Sequence, residues 1–234
     1  CILNAQPPAP VAMRHTLGQM TPDLVFGCLH QALPDAVPAE GASSMYDLPL
    51  RHTADAVHRG GTEFAIELVH NGGTGARPTR DGLSATAYPS GVFGSQVEMT
   101  EAAAPVTIWR RELRPDSGGA GQYRGGLGQR IEMTSAIYEP FLVFLSVERI
   151  KNPAAGRAGG LAGAPGRIRV SGRADDIPGK CELRVEPGER LIFETPGGGG
   201  FGPPSARARD AVDADVTTGL VSPDNAKTLY GGDA

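Results

Sequence analysis

The sequence predicts an α+β protein dominated by mostly antiparallel sheet, with glycine-rich loops, one helix near the N-terminus and short helices at the C-terminus. Three observations carry this. Short segments alternate apolar and polar residues, the period of a half-buried strand, and turn residues separate them. The chain holds 33 glycines and 20 prolines in 234 residues, well above the roughly 12% of average usage, and the glycines cluster between those segments. One stretch near the start repeats apolar residues at helical spacing.

Taken in order, CILNAQPPAPV is proline-rich and reads as an extended lead-in, because proline fixes φ and removes amide donors. Leu17, Met20, Leu24, Val25, Leu29 and Leu33 recur every three or four residues. Thr21, Pro22 and Asp23 suit a helix start, so a helix is expected from about Pro22 to Leu33, or from somewhat earlier. Positions 34–61 show little periodicity and read as irregular. Strands are expected at 62–70, 106–113, 129–135, 141–147, 167–170, 181–185 and 190–194, the fourth of them central because it is apolar on both faces. Positions 205–216 and 224–229 are helix-compatible and read as a surface tail. The domain expectation is therefore a lead-in with helix and loop over 1–61, a β-rich core over 62–204 and a helical tail over 205–234.

Composition excludes several classes. A net charge of −4 lacks the basic surplus of nucleic-acid binders. No apolar run reaches the length of a membrane span, and the first thirty residues do not form a signal peptide, so a cytoplasmic chain with no nucleic-acid or membrane partner is expected. Cys1, Cys28 and Cys181 lie far apart without metal-ligand spacing, so reduced, mostly buried thiols are expected and no metal is assigned to this chain. A Cys at position 1 also admits an autoprocessed hydrolase that uses its own α-amine as base.

Three loops could carry chemistry. Thr195 to Gly202 reads TPGGGGFG, but lacks the Lys and the Ser or Thr of a phosphate-cradling loop, and no βαβ unit surrounds it. Its glycines imply tight backbone, read first as a structural bend and alternatively as a small-ligand contact through Gly198 and Gly199. Leu113 to Gly128, LRPDSGGAGQYRGGLG, offers Arg114 for bidentate binding of an anion and Asp116 as a proton acceptor, with Gly118 and Gly119 beside them. Plain turn formation and solvated arginines explain that loop equally well. Val69 to Gly82, VHNGGTGARPTRDG, places Arg77 and Asp81 after a strand-ending His70, which reads as structural. A fourth candidate is the polar cluster Arg14 to Gln19 ahead of the helix, where His15 and Gln19 share a face if the helix begins there and where capping and surface roles serve equally well; His52 and His58 read as solvated. Neither a GxSxG elbow nor HExxH is present.

The order NAQPPAPVAMRHTLGQ, NGGTGARPTRDG, RELRPDSGGAGQYRGGLG, PGK, ETPGGGGFGPP and DVTTGLVS closely resembles the B-type subunit of ATP-dependent hydantoinases and 5-oxoprolinases. The resemblance runs through nearly the whole chain but covers only the C-terminal part of that family. It implies an A-type partner that binds ATP and phosphorylates the carbonyl oxygen of a cyclic amide, after which the B-type subunit completes ring opening. It also implies a divalent metal held by the family's N-terminal region, so this chain alone is expected to bind neither ATP nor metal. That half is supplied either by a separate polypeptide or by a longer version of this chain, and Cys1 becomes an ordinary internal residue. The resemblance extends to acetone and acetophenone carboxylases, which leaves a ketone carboxylase subunit as one alternative and a non-catalytic docking half as another. Arg77, Asp81, Arg114, Asp116 and His15 are the expected polar contacts to substrate or neighbouring subunits.

Overall fold

The computed structural model describes residues 4–9, 11, 14–43 and 45–231. Its elements are α1 (Arg14–His30), β1 (Met45–His52), α2 (Ala54–His58), β2 (Ala65–Asn71), α3 (Val97–Ala103), β3 (Val106–Leu113), β4 (Gln129–Ser135), β5 (Phe141–Ser146), β6 (Arg167–Val170), β7 (Lys180–Val185), β8 (Leu191–Glu194), a 3₁₀ turn (Pro204–Ala206), α4 (Arg209–Thr217) and α5 (Pro223–Tyr230).

The strands form two four-stranded sheets in the orders β2-β1-β5-β7 and β3-β4-β8-β6, antiparallel at every pairing. One core lies between them. Leu48, Leu68, Phe141 and Val143 of the first sheet meet Ile131, Met133, Leu191 and Phe193 of the second, all almost fully buried. Alternation along each strand sends these side chains inward, and β5 is an inner strand as its apolar character predicts.

The structure departs from the sequence reading in several places. Part of the irregular stretch 34–61 is β1, an inner strand carrying Pro49. Its pairing with β5 begins only at Leu50, one residue past the proline that cannot donate to a ladder. His52, read as solvated, is half-buried against Phe64: its amide donates to the Phe64 carbonyl at 3.1 Å, and its ring Nδ1 lies 3.2 Å from the Phe64 amide. His58 is exposed at the end of α2. The short α3 gives no periodic signal.

Helix α1 starts eight residues before Pro22, which stands inside it. Polar contacts from His15 and Gln19 to the body hold the first half in place. The helix is also inverted, since Thr16, Gln19 and Asp23 are buried while Leu17, Leu24, Val25 and Leu29 are exposed. Cys28 is consequently exposed rather than buried, Cys181 is half-buried, and Cys1 with its autoprocessing reading lies outside the described residues.

The C-terminal segment is not a surface tail. Val212, Val221, Ala226 and Tyr230 form a second small core against Ala120 of the glycine-rich loop. Asp215 is buried there beside Arg124 and Arg207.

Candidate functional site

The glycine loops assemble into a hub of extended segments at one end of the sandwich. Residues 197–200 are buried, and their amides donate to the carbonyls of Ala164, Gly126, Glu40 and Leu161 in turn. The carbonyls of Gly198, Gly199 and Gly200 accept from Gly119, Ala76 and Arg157. A Cβ on any of the four glycines would collide with a neighbouring main-chain carbonyl. The glycines therefore serve close approach of backbone to backbone, not a bend. None of the four amides remains free for a phosphate, so the run does not fit a nucleotide. Among the described residues no group of three or more His, Cys, Asp or Glu is arranged for a metal ion.

The residues singled out from sequence occupy separate places around this hub. Asp116 adopts a left-handed backbone (φ 61°), and its Oδ1 accepts the Ser222 amide at 2.8 Å. Its own amide donates to the Leu220 carbonyl, so Asp116 docks the segment between α4 and α5. Arg114 donates to the Pro165 carbonyl at 2.7 Å and faces Glu194 at 3.9 Å. Burial holds its guanidinium below its ordinary range. Gly118 and Gly119 lie against Gly125 and Gly200 within the hub.

Asp81 accepts both Arg207 nitrogens at 2.7 Å and the Arg124 amide at 2.7 Å. Burial raises its carboxyl, but Arg207 outweighs burial and leaves it below the usual range. Arg207 and Arg124 also bond Asp215. A network of two carboxylates and two arginines thus ties the C-terminal helices to the loop that carries Arg77. Arg77 itself donates to the Asp81 carbonyl at 2.7 Å, and its Nε is buried without an acceptor among the described residues.

The inner face of α1 forms a polar ladder against the body. His15 Nε2 lies 2.9 Å from Asp47, Gln19 donates to Ser90 at 2.5 Å, and Asp23 meets Ser43 and Arg149. Burial, then the neighbouring Glu67, raises the Asp47 carboxyl to about 6 despite His15. Burial also raises Asp23, although Ser43, Arg149 at 3.0 Å and the Gly41 amide all favour its charged form. Glu40 joins this group through Arg149 at 2.8 Å.

Between α1 and the loop 74–83 opens a cleft of about 430 Å³, a size suited to a small molecule. Asp23 and Arg77 are its charged members, and Pro38, Ala39, Leu83 and Tyr88 supply apolar wall. A trough of about 730 Å³ on the outer face of the second sheet is larger but shallow, and its arginines are committed to Glu132. The cleft under α1 is the better candidate, because it is more enclosed and joins one anionic and one cationic group with an apolar surface. Of the expected contacts only Arg77 lines it, and His15 stands along the same helix. Sequence reading missed Asp23, which it took for a helix-start residue, and Glu40, Ser43 and Arg149. Only the inverted polarity of α1, polar residues at helical spacing on the face that packs, could have pointed to Asp23.

Comparison with known proteins connects this arrangement to a family. Residues 1–204 match the family model described as hydantoinase B/oxoprolinase. The chain is 35% identical to the β subunit of caprolactamase from Pseudomonas jessenii, over 98% of this chain and 41% of that subunit. It is 38% identical to 5-oxoprolinase 1 of Arabidopsis thaliana over 61% of this chain and 12% of that protein. The crystal structure of the ATP-dependent caprolactamase from P. jessenii superposes with a TM-score of 0.80 at 32% identity, covering 97% of this chain and 41% of that one. Nucleotide-free acetone carboxylase shares the fold, with a TM-score of 0.64 at 22% identity over 83% of this chain and 30% of that one. The chain thus spans less than half the length of these relatives, and it belongs to the hydantoinase B/oxoprolinase family.

Proposed function

We propose that this chain is part of the B-type subunit of an ATP-dependent cyclic amidase, which opens a lactam-like ring after an A-type partner has activated the amide with ATP. One observation carries the reading: 98% of this chain matches 41% of the β subunit of caprolactamase in sequence, and the chain shares its fold with the ATP-dependent caprolactamase structure. ATP on the partner and a divalent metal held outside this chain belong to the same proposal.

In this reading the cleft under α1 receives the ring. Pro38, Ala39 and Leu83 take its methylenes, and Arg77 donates to the oxygen that gains negative charge as the amide is activated. Asp23, paired with Arg149 at 3.0 Å, stands at the cleft wall as the acceptor for a ring N–H. Arg114, Asp116 and Asp81 hold the hub and the C-terminal helices in register, and so position the loop that carries Arg77.

The test is to combine the complete B-type subunit with its A-type partner and to follow ring-opened amino acid from a hydantoin, 5-oxoproline and caprolactam. ATP-dependent opening of at least one is expected. Carboxylation of a ketone with bicarbonate and no ring opening would contradict the proposal, as would ring opening indifferent to ATP.

A further inference from the structure

The outward face of α1 is an apolar stripe that nothing among the described residues covers. Leu17, Leu24, Val25 and Leu29 are 50%, 60%, 49% and 41% exposed, and Cys28 is exposed between them. Helices on soluble domains turn such a stripe inward. This one is held with its polar face in by the contacts of His15, Gln19 and Asp23, and it cannot roll without breaking all three. From Leu17 to Leu29 the only charged side chain is Asp23, which faces inward, so the outer face carries none of the charge that keeps a free surface wet.

We propose that this stripe is an internal interface of the complete subunit, covered by the part of that subunit to which this chain does not correspond. The chain corresponds to 41% of the caprolactamase β subunit, so more than half of a comparable subunit is available to cover it. A second copy of the chain fits less well. The stripe lies on one helix roughly 25 Å long, a narrow footing for a stable dimer, which typically buries about 1,200–2,000 Å². Docking within one polypeptide avoids the association cost that a dimer must meet.

Cys28 is a built-in probe of this face. The complete wild-type subunit, without its A-type partner, is treated with a maleimide, and Cys28 labelling is followed by peptide mass spectrometry in native and urea-unfolded protein. Labelling at least tenfold slower in the native subunit, at every protein concentration, is expected. Native labelling as fast as unfolded would overturn the proposal. Protection that fades on dilution would overturn it in favour of a second copy, and protection that appears only with the A-type partner in favour of that partner. Leu24→Lys adds an independent reading: Cys28 labelling should accelerate at least tenfold while Cys181 labelling stays unchanged. An unchanged Cys28 rate in a folded Leu24→Lys subunit would contradict the proposal.

Discussion

The sandwich and the glycine hub are both buried, yet different parts of the chain hold them together. In the sandwich, side chains such as Leu48, Ile131 and Phe193 fill the space between sheets, and the stabilisation scales with the apolar area they remove from water. In the hub, side chains are absent where segments meet, and main-chain hydrogen bonds run from the Gly197–Gly200 segment to several neighbours at once. A core of side chains can relax around a smaller residue. A core of backbone cannot move aside for a larger one.

Four substitutions can break or sharpen this contrast, all made in the complete subunit. The largest effect is expected at Gly198→Ala, whose new Cβ would strike the Thr74 carbonyl oxygen inside the hub. No folded subunit should be recovered, judged by soluble yield and circular dichroism, and a folded Gly198→Ala would refute the backbone-packing account. Next comes Leu48→Ala in the sandwich, which should fold but lose about 3 kcal/mol in urea unfolding.

Asp81→Asn should cost less, about 2 kcal/mol near neutral pH, because Asp81 is only partly buried while its partner Arg207 is almost wholly so. The sign of its pH dependence follows from the lowered carboxyl. The Asp81–Arg207 stabilisation is fully present above the unfolded-state value near 3.8 and is lost as pH falls through the lower folded-state value. Wild type and Asp81→Asn should therefore converge in melting temperature as pH drops below about 4. Asp47 runs the other way. Its carboxyl is raised to about 6, so its contribution is present below the unfolded value and lost as pH rises through 6. Asp47→Asn should gain about 1 kcal/mol on wild type between pH 4 and pH 7, read as a changing melting-temperature gap; a constant gap would contradict the assignment.

The same contrast explains what the sequence could tell. Strands β3, β4 and β6 are legible to the residue, because strand-compatible runs stand between clear turn signals. β1 is not, since Pro49 interrupts a pattern in which Tyr46, Leu48 and Leu50 otherwise alternate inward. The hub is legible only as composition: four glycines in a row reveal tight backbone, but the segments they touch, Thr74, Ala120 and Ala155, are far away in sequence. The cleft was half legible. Arg77 stands in a polar loop after a strand, where sites are common, whereas Asp23 sits on a helix whose polarity is inverted, and beside Thr21 and Pro22 it reads as a helix start.

The most direct test of the account is the rate of ATP-dependent ring opening by the assembled complex carrying Arg77→Ala. If the cleft under α1 receives the substrate, loss of this charged donor should lower kcat/KM by about 10- to 100-fold, with assembly by size-exclusion chromatography unchanged. Wild-type kcat/KM in an intact Arg77→Ala complex would contradict it and remove the cleft from the active site.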